Sequence, residues 1–248
     1  MNIKNLALGK IGNSNYFQWI DVDESYGRRV IERIGKELKP KNCLDIGCGK
    51  GKDLILINKW NPKCKLEGFD IYEDKDINKK NIFEKKIVNI ENNKWPTKDN
   101  SYDLIIANQV LEHTKEIFWI NHEVFRSLKI GGHFLIGVPN TLSLHNRILC
   151  LFGIHPTNCK LISAHVRAFS KRDTFSFYEI IGKNFLKISQ FKGSQFYPFP
   201  LFIAKKLSNL FPSLAVINFY LIKKTGSYKG EFLELPAQMN LETNFFLG

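Results

Sequence analysis

The run Cys43-Leu44-Asp45-Ile46-Gly47-Cys48-Gly49-Lys50-Gly51 decides the fold. A short apolar strand ends at a carboxylate, then turns through three alternating glycines into the apolar-periodic segment that starts at Lys52. Glycine adopts positive φ without penalty and carries no Cβ, so a ligand can approach the backbone closely. A strand, a glycine-rich turn and a helix N-terminus together form a nucleotide-binding corner of an open α/β sheet.

Asp45 and the glycine spacing narrow the ligand. A pyrophosphate cradled by the turn would be repelled by a carboxylate just before it. The dinucleotide pattern Gly-x-Gly-x-x-Gly is also broken, because Gly51 falls one residue early and Lys52 stands in its place. A phosphate-binding Walker loop needs Ser or Thr after Gly-Lys, and here Asp53 follows Gly51-Lys52. The ligand that fits is an adenosine without phosphate, carrying a positive centre: S-adenosylmethionine, with its sulfonium and α-amino group.

Outward from this corner, strand and helix patterns alternate, which predicts a parallel sheet with helices on both faces. Apolar positions Val30, Ile31, Ile34 and Leu38 predict a helix over 24–39, which Pro40 ends. Strands are expected near 42–46, 65–70, 86–89, 102–107, 132–138, 185–191 and 214–222. Helices are expected near 51–60, 115–128 and 170–181, the last capped by Ser170 and closed by Gly182. From 140 to 165 the alternation stops, and apolar residues such as Ile148, Leu151 and Phe152 mark this stretch as a lid or substrate platform rather than a disordered loop. The aromatic, proline-broken stretch Phe196-Tyr197-Pro198-Phe199-Pro200-Leu201-Phe202-Ile203 reads as core, dimer surface or membrane-facing patch, with core the simplest.

Five segments in order resemble the class I S-adenosylmethionine-dependent methyltransferases. The first is the glycine corner. The second, Lys65-Leu66-Glu67-Gly68-Phe69-Asp70, ends in the acid that the family uses on the ribose hydroxyls. The third, Ile87-Val88-Asn89-Ile90 with Trp95-Pro96, lies where the family reads the adenine amino group, usually with Asp rather than Asn. The fourth, Asn100-Ser101-Tyr102-Asp103-Leu104-Ile105-Ile106-Ala107-Asn108-Gln109-Val110-Leu111-Glu112-His113, is similar to the subgroup containing the ubiquinone-biosynthesis-type methyltransferases. The fifth, from Val124 to Ile136, is a helix, a Gly-Gly turn and a strand. The segment His165-Val166-Arg167-Ala168-Phe169-Ser170 is also similar to that subgroup. The resemblance implies a Rossmann-like, seven-stranded, mostly parallel sheet with helices on both faces, and a lid insertion after the fifth strand. It implies S-adenosylmethionine as cofactor, bound by Asp45, Gly47, Cys48, Gly49, Gly51, Asp70, Ile71, Asn89, Ile90, Asn108 and Gln109. One domain over 1–248 is expected: an N-terminal helical extension (1–41), a cofactor half (42–139), the lid (140–169) and a C-terminal part completing the sheet (170–248).

Methyl transfer from a sulfonium is an in-line displacement that needs alignment and exclusion of water. A neutral hydroxyl acceptor also needs a base, for which histidine is suited. His113, at the end of the fourth motif, and His165, at the far edge of the lid, are the catalytic candidates. Each has a plainer reading, as a helix-start residue and as a pin for the lid. His145, Arg147 and Arg167 are candidates for the acceptor, with Arg167 able to hold an anionic group or simply tie down the lid. His133 reads as structural. The transfer is expected to be metal-free.

With 248 residues, 44% of them hydrophobic, the chain is long enough for a full α/β core. The net charge of +12 suits an anionic partner or a membrane surface, but the lysines are spread out, as a Lys-, Asn- and Ile-rich composition would give. Five cysteines without a Cys-x-x-Cys pair read as reduced thiols in a cytoplasm. No apolar run reaches the roughly 20 residues of a membrane span. The leading reading is O-methylation of a small molecule or glycan by a monomer or homodimer. The segments from Leu144 to Thr157 and from Leu241 to Phe246 are similar to bacterial methyltransferases of surface polysaccharides. A nucleic-acid methyltransferase is disfavoured, because neither an Asn/Asp-Pro-Pro-aromatic run nor a Pro-Cys pair occurs; ribose methylation stays open. A non-catalytic protein on the same fold is the third reading.

Overall fold

The computed structural model describes residues 25–73 and 82–241. The N-terminal stretch to residue 24 and the tail from Glu242 onward, with the tail similarity noted above, lie outside the described residues. In chain order the helices are α1 (Arg28–Leu38), α2 (Lys52–Trp60), α3 (Ile117–Ser127), α4 (Leu144–Leu151), α5 (Lys171–Gly182), α6 (Leu201–Leu210) and α7 (Glu231–Gln238). The strands are β1 (Asn42–Ile46), β2 (Lys65–Asp70), β3 (Glu84–Ile87), β4 (Tyr102–Asn108), β5 (Leu128–Pro139), β6 (Leu186–Ser194) and β7 (Ile217–Lys224).

All seven form one sheet in the order β3-β2-β1-β4-β5-β7-β6. The pairings from β3 through β5 are parallel, and β7 runs antiparallel to both β5 and β6. The order reverses between β1 and β4, which opens a crevice at their carboxyl ends. The Rossmann-like, mostly parallel sheet is therefore present.

Both faces of the sheet are buried, as parallel strands require. Successive residues fall to opposite sides, following the two-residue period of a strand. Leu44, Ile105, Phe134, Ile136 and Tyr220 pack on one face with Ile120, Val124 and Phe125 of α3, Tyr178 of α5 and Phe232 of α7. Cys43, Leu104, Ile106, Leu135 and Leu221 pack on the other, under Val30, Ile31 and Ile34 of α1 and Leu54 and Ile57 of α2. The spacing of the α1 residues is the one that predicts the helix. Lys224 enters the first core as a buried cation. Its ammonium donates to the Phe125 and Leu128 carbonyls at 2.6 and 2.7 Å and to Asn100 Oδ1 at 3.0 Å. The two carbonyls belong to the end of α3, where backbone acceptors have no helical partner.

Three expectations are corrected. The third strand lies two residues earlier than expected, because Val88 and the residues after it leave the sheet for the loop that carries Trp95. The stretch after β5 is not irregular throughout, since it contains α4. This helix has eight residues and buries little beyond Asn146, so its apolar periodicity is too short to stand out. The aromatic stretch runs into α6, and its Phe196 packs with Ala204 and Ala215 in a small separate core, while Phe202 stays exposed.

Candidate active site

The glycine turn leaves β1 at its carboxyl end. Gly47 and Gly49 have φ of 68° and 49°, in the left-handed region. A Cβ on Gly47 would lie 2.5 Å from Val110 Cγ2, so packing as well as φ requires glycine there. A Cβ on Gly49 would meet no atom within 4 Å, so that side of the turn faces open space. The turn is held from below. Cys48 N–H donates to the Phe69 carbonyl at 2.9 Å, Gly49 N–H donates to Asp70 Oδ2 at 2.7 Å, and Lys85 Nζ donates to the Gly49 carbonyl at 3.1 Å. Tyr72 N–H donates to Asp70 Oδ1 at 3.0 Å. Asp70 thus ties the end of β2 to the turn.

Beside the turn sits a buried acidic pair. Burial drives the Asp45 carboxyl well above the ordinary carboxylate range, the charges of Asp53 and Asp70 add to this, and Arg28 opposes it. Asp53, in the first turn of α2, accepts from Arg28 Nε and from Asn108 Nδ2, each at 2.9 Å. Burial also raises its pKa, against the lowering effect of those two partners. Asn108 ends β4, and Gln109 then turns the chain at a φ of 59°, with its N–H donating to the Gly137 carbonyl at 2.7 Å. Asp45, Gly47, Cys48, Gly49, Asp53, Asn108 and Gln109 line one cavity of about 510 Å³.

The same cavity is lined at Glu112, His113 and His165. Glu112 and His113 occupy a short 3-10 turn, Leu111–His113. The Glu112 side chain is 1% exposed, and neither carboxylate oxygen accepts from another of the described residues; only the Glu112 backbone N–H acts on it. Burial pushes its pKa up to about 7. His113 Nδ1 lies 3.1 Å from the Ala164 carbonyl oxygen, and its Nε2 lies 3.9 Å from Glu112 Oε1. The His165 ring stands edge-on to His113 with centroids 4.7 Å apart. Its buried Nδ1 makes no well-aligned hydrogen bond; desolvation, then the neighbouring His113, lower its pKa, and a hydrogen bond with the Asn158 backbone opposes them.

His165 comes from a distant part of the chain. Val166 and Arg167 N–H groups donate to the Glu112 carbonyl at 2.8 and 3.2 Å. The Arg167 guanidinium donates to the carbonyls of Thr114, at 3.0 Å, and Lys115. Arg167 therefore pins its own segment to the turn and does not line the cavity.

Of the residues expected at the site, eight line the cavity together: Asp45, Gly47, Cys48, Gly49, Asn108, Gln109, His113 and His165. Gly51 and Asp70 support the turn from behind. The others are placed elsewhere. Asn89 is exposed, and its Oδ1 accepts from Glu91 N–H at 3.0 Å, so the acceptor expected for adenine serves its own loop. Ile90 is buried in the core, its carbonyl accepting from Trp95 Nε1, and Ile71 is exposed outside the cavity lining. His145 contacts Ser143 Oγ, Thr157 Oγ1 and the Tyr197 ring. Arg147 donates to the Leu142 carbonyl and lines a second cavity, of about 420 Å³, with Arg172 and Glu179. Sequence reasoning missed Arg28 and Asp53, and from the sequence Glu112 reads only as a cofactor contact or a helix start. Asp53 was visible beside the turn but served only to exclude a phosphate loop; Arg28, 25 residues earlier, carries no local signal.

The methyltransferase domain family matches residues 19–173. A curated relative, the malonyl-[acyl-carrier protein] O-methyltransferase of Legionella pneumophila, is 28% identical over 126 residues, 48% of this chain and 43% of that protein. A second, from Methanocaldococcus jannaschii, is 29% identical over 50% of this chain and 57% of its own length. The chain thus spans about half the length of the curated relatives it matches. Among solved structures, a possible histamine N-methyltransferase from Thermotoga maritima superposes with a TM-score of 0.57 at 19% identity, covering 89% of this chain and 99% of that one. The chain belongs to the methyltransferase domain family, and its fold is that of the S-adenosylmethionine-dependent methyltransferases.

Proposed function

We propose that this chain transfers a methyl group from S-adenosylmethionine to an oxygen of a small hydroxyl-bearing acceptor, with glycans the first class to try. The observation that supports this reading is one cavity with two unlike ends. Its glycine end carries Asp45, Asp53 and the open face of Gly49, which suits a cationic adenosine ligand and no phosphate. Its other end gathers a buried carboxylate and two imidazoles, which suits an acceptor whose proton must be managed.

In this reading Gly47, Gly49 and Gln109 shape the cofactor's seat, and Asp70 fixes the turn while standing next to the ribose position. Burial and the neighbouring acids disfavour the charged form of Asp45, and a bound cationic group of the cofactor would restore it, so that the two charges meet only in the complex. When bound, the cofactor supplies an electrophilic methyl group. His113 and His165 face the acceptor, and the 140–169 segment acts as the lid, delivering His165. Direct base action by histidine is the plainer division of labour. Arg167 takes no part in acceptor binding and Asn89 none in adenine binding, because the guanidinium is held by the Thr114 and Lys115 carbonyls and the amide oxygen by Glu91 N–H.

The test is calorimetric titration with S-adenosylhomocysteine and, separately, NAD, followed by a labelled-methyl transfer screen of sugars and lipid-linked glycans. Micromolar binding of the first ligand alone, then label in a hydroxyl acceptor, is expected. Binding of NAD, or of neither ligand, would overturn the reading. Among the described residues no helix is long and apolar enough to cross a membrane.

A further inference from the structure

We propose that Glu112, His113 and His165 form a binding site for one divalent first-row transition cation. The sequence gives no metal-ligand spacing, and the expectation from it is metal-free transfer. The fold nevertheless brings these three side chains together across 52 residues of chain. Each offers one ligand atom, and the three atoms lie within 4.8 Å of one another.

The case rests on unmet bonding rather than on proximity alone. Glu112 is almost wholly buried, and among the described residues no donor of another residue reaches its oxygens; only its own backbone N–H turns toward them. An unpartnered buried carboxylate is among the most costly groups a protein can hold. The histidines are oriented to complement the carboxylate. The Ala164 carbonyl can only face an N–H, which fixes the proton of neutral His113 on Nδ1 and leaves Nε2 with its lone pair on the Glu112 side. A backbone acceptor behind a ligand imidazole is the usual support for a metal-binding histidine. His165 presents a second buried ring nitrogen that makes no well-aligned hydrogen bond. One cation satisfies all three groups at once.

Two imidazoles and one carboxylate suit zinc, iron(II), cobalt(II) or manganese(II) better than magnesium or calcium. Metal–ligand bonds of about 2.0–2.2 Å require the three atoms to draw together by about an ångström. The exposed His113 ring has room to turn. Three protein ligands leave coordination positions open, and all three residues line the cavity, so the open side faces it. A hydroxyl of the acceptor bound there would lose its proton to solvent more readily, because the cation stabilises the oxyanion. That role rests on the functional reading above; the existence of the site does not.

The experiment is titration of the chelator-treated full chain with Co²⁺, followed by visible absorption and then by displacement with Zn²⁺. One equivalent of Co²⁺ giving visible d–d bands that Zn²⁺ abolishes is expected. Glu112→Gln and His165→Ala should each weaken binding by about 30-fold or more, with the far-ultraviolet circular dichroism spectrum and S-adenosylhomocysteine affinity of each unchanged. Glu112→Gln keeps the shape of the side chain and breaks no hydrogen bond to another of the described residues, so it guards against misfolding. Absence of stoichiometric uptake, or equal affinity in both variants, would overturn the site. If the unmodified chain binds Co²⁺ but not S-adenosylhomocysteine, the functional reading fails and the metal site stands.

Discussion

The two ends of the cavity are built on opposite terms. At the glycine end the shape is set by backbone, and the polar groups that shape it are mostly paired: Gly49 with Asp70, Cys48 with Phe69, Asp53 with Arg28 and Asn108. At the Glu112 end the shape is set by side chains: the Glu112 carboxylate oxygens and His165 Nδ1 find no hydrogen-bonding side chain among the described residues, and His113 Nε2 stands 3.9 Å from Glu112 Oε1. A paired network stabilises the chain before any ligand arrives. An unpaired one costs stability until a ligand supplies what is missing. Mutations should therefore have opposite signatures at the two ends.

The largest effect is expected from Arg28→Met. It removes the charge partner of Asp53 and leaves two buried acids facing each other, which should cost about 3–5 kcal/mol of stability, measured by urea unfolding. Asp53→Asn in the same chain should recover most of the loss; no recovery would mean that Arg28 acts through packing. Asp70→Ala comes next. Loss of the Gly49 tether and of a charged acceptor should weaken S-adenosylhomocysteine binding by about 100-fold, on the scale of a charge-assisted hydrogen bond. Unchanged affinity would remove Asp70 from the cofactor site. A smaller loss, about 10-fold in affinity, is expected from Gly49→Ala, whose methyl group points into the open side of the turn; the left-handed φ should cost about 1–2 kcal/mol of stability. Affinity equal to that of the parent would place the ligand on the other side of the turn. The smallest effect should be at the other end. Glu112→Gln in metal-free protein should be neutral or stabilising within about 1 kcal/mol. A clear destabilisation would show that this carboxylate has a partner after all, and the contrast between the ends would collapse.

The same contrast explains what could be read in the sequence. The glycine end is local: strand, turn and helix follow within eighteen residues, and glycine spacing leaves a strong mark. The alternation of β1, β2, β4 and β5 was equally legible, because strands buried on both faces read as short apolar runs. His113 was visible through its place after β4. What joins it to His165 was not, because that contact is made through backbone carbonyls and an arginine, and hydrogen bonds to backbone leave no residue-type signature. Asn89 shows the reverse failure. Its position in the chain matched a binding residue, yet its amide folds back on Glu91 N–H two residues on, as asparagines in loops often do. Helices α4 and α6 escaped notice for a simpler reason: each is short, and part of its apolar surface stays in solvent.

The attachment of the His165 segment through the Glu112 carbonyl has a kinetic corollary. Two amide protons, on Val166 and Arg167, hang from a single oxygen and report directly on whether that segment is seated. If it lifts, both protons should exchange with solvent together, while the amides of Cys48 and Gly51 in the glycine turn remain protected. Acceptor entry would then need no movement of the cofactor's seat, and the opening rate, which paired exchange reports when every opening leads to exchange, would set an upper limit on turnover.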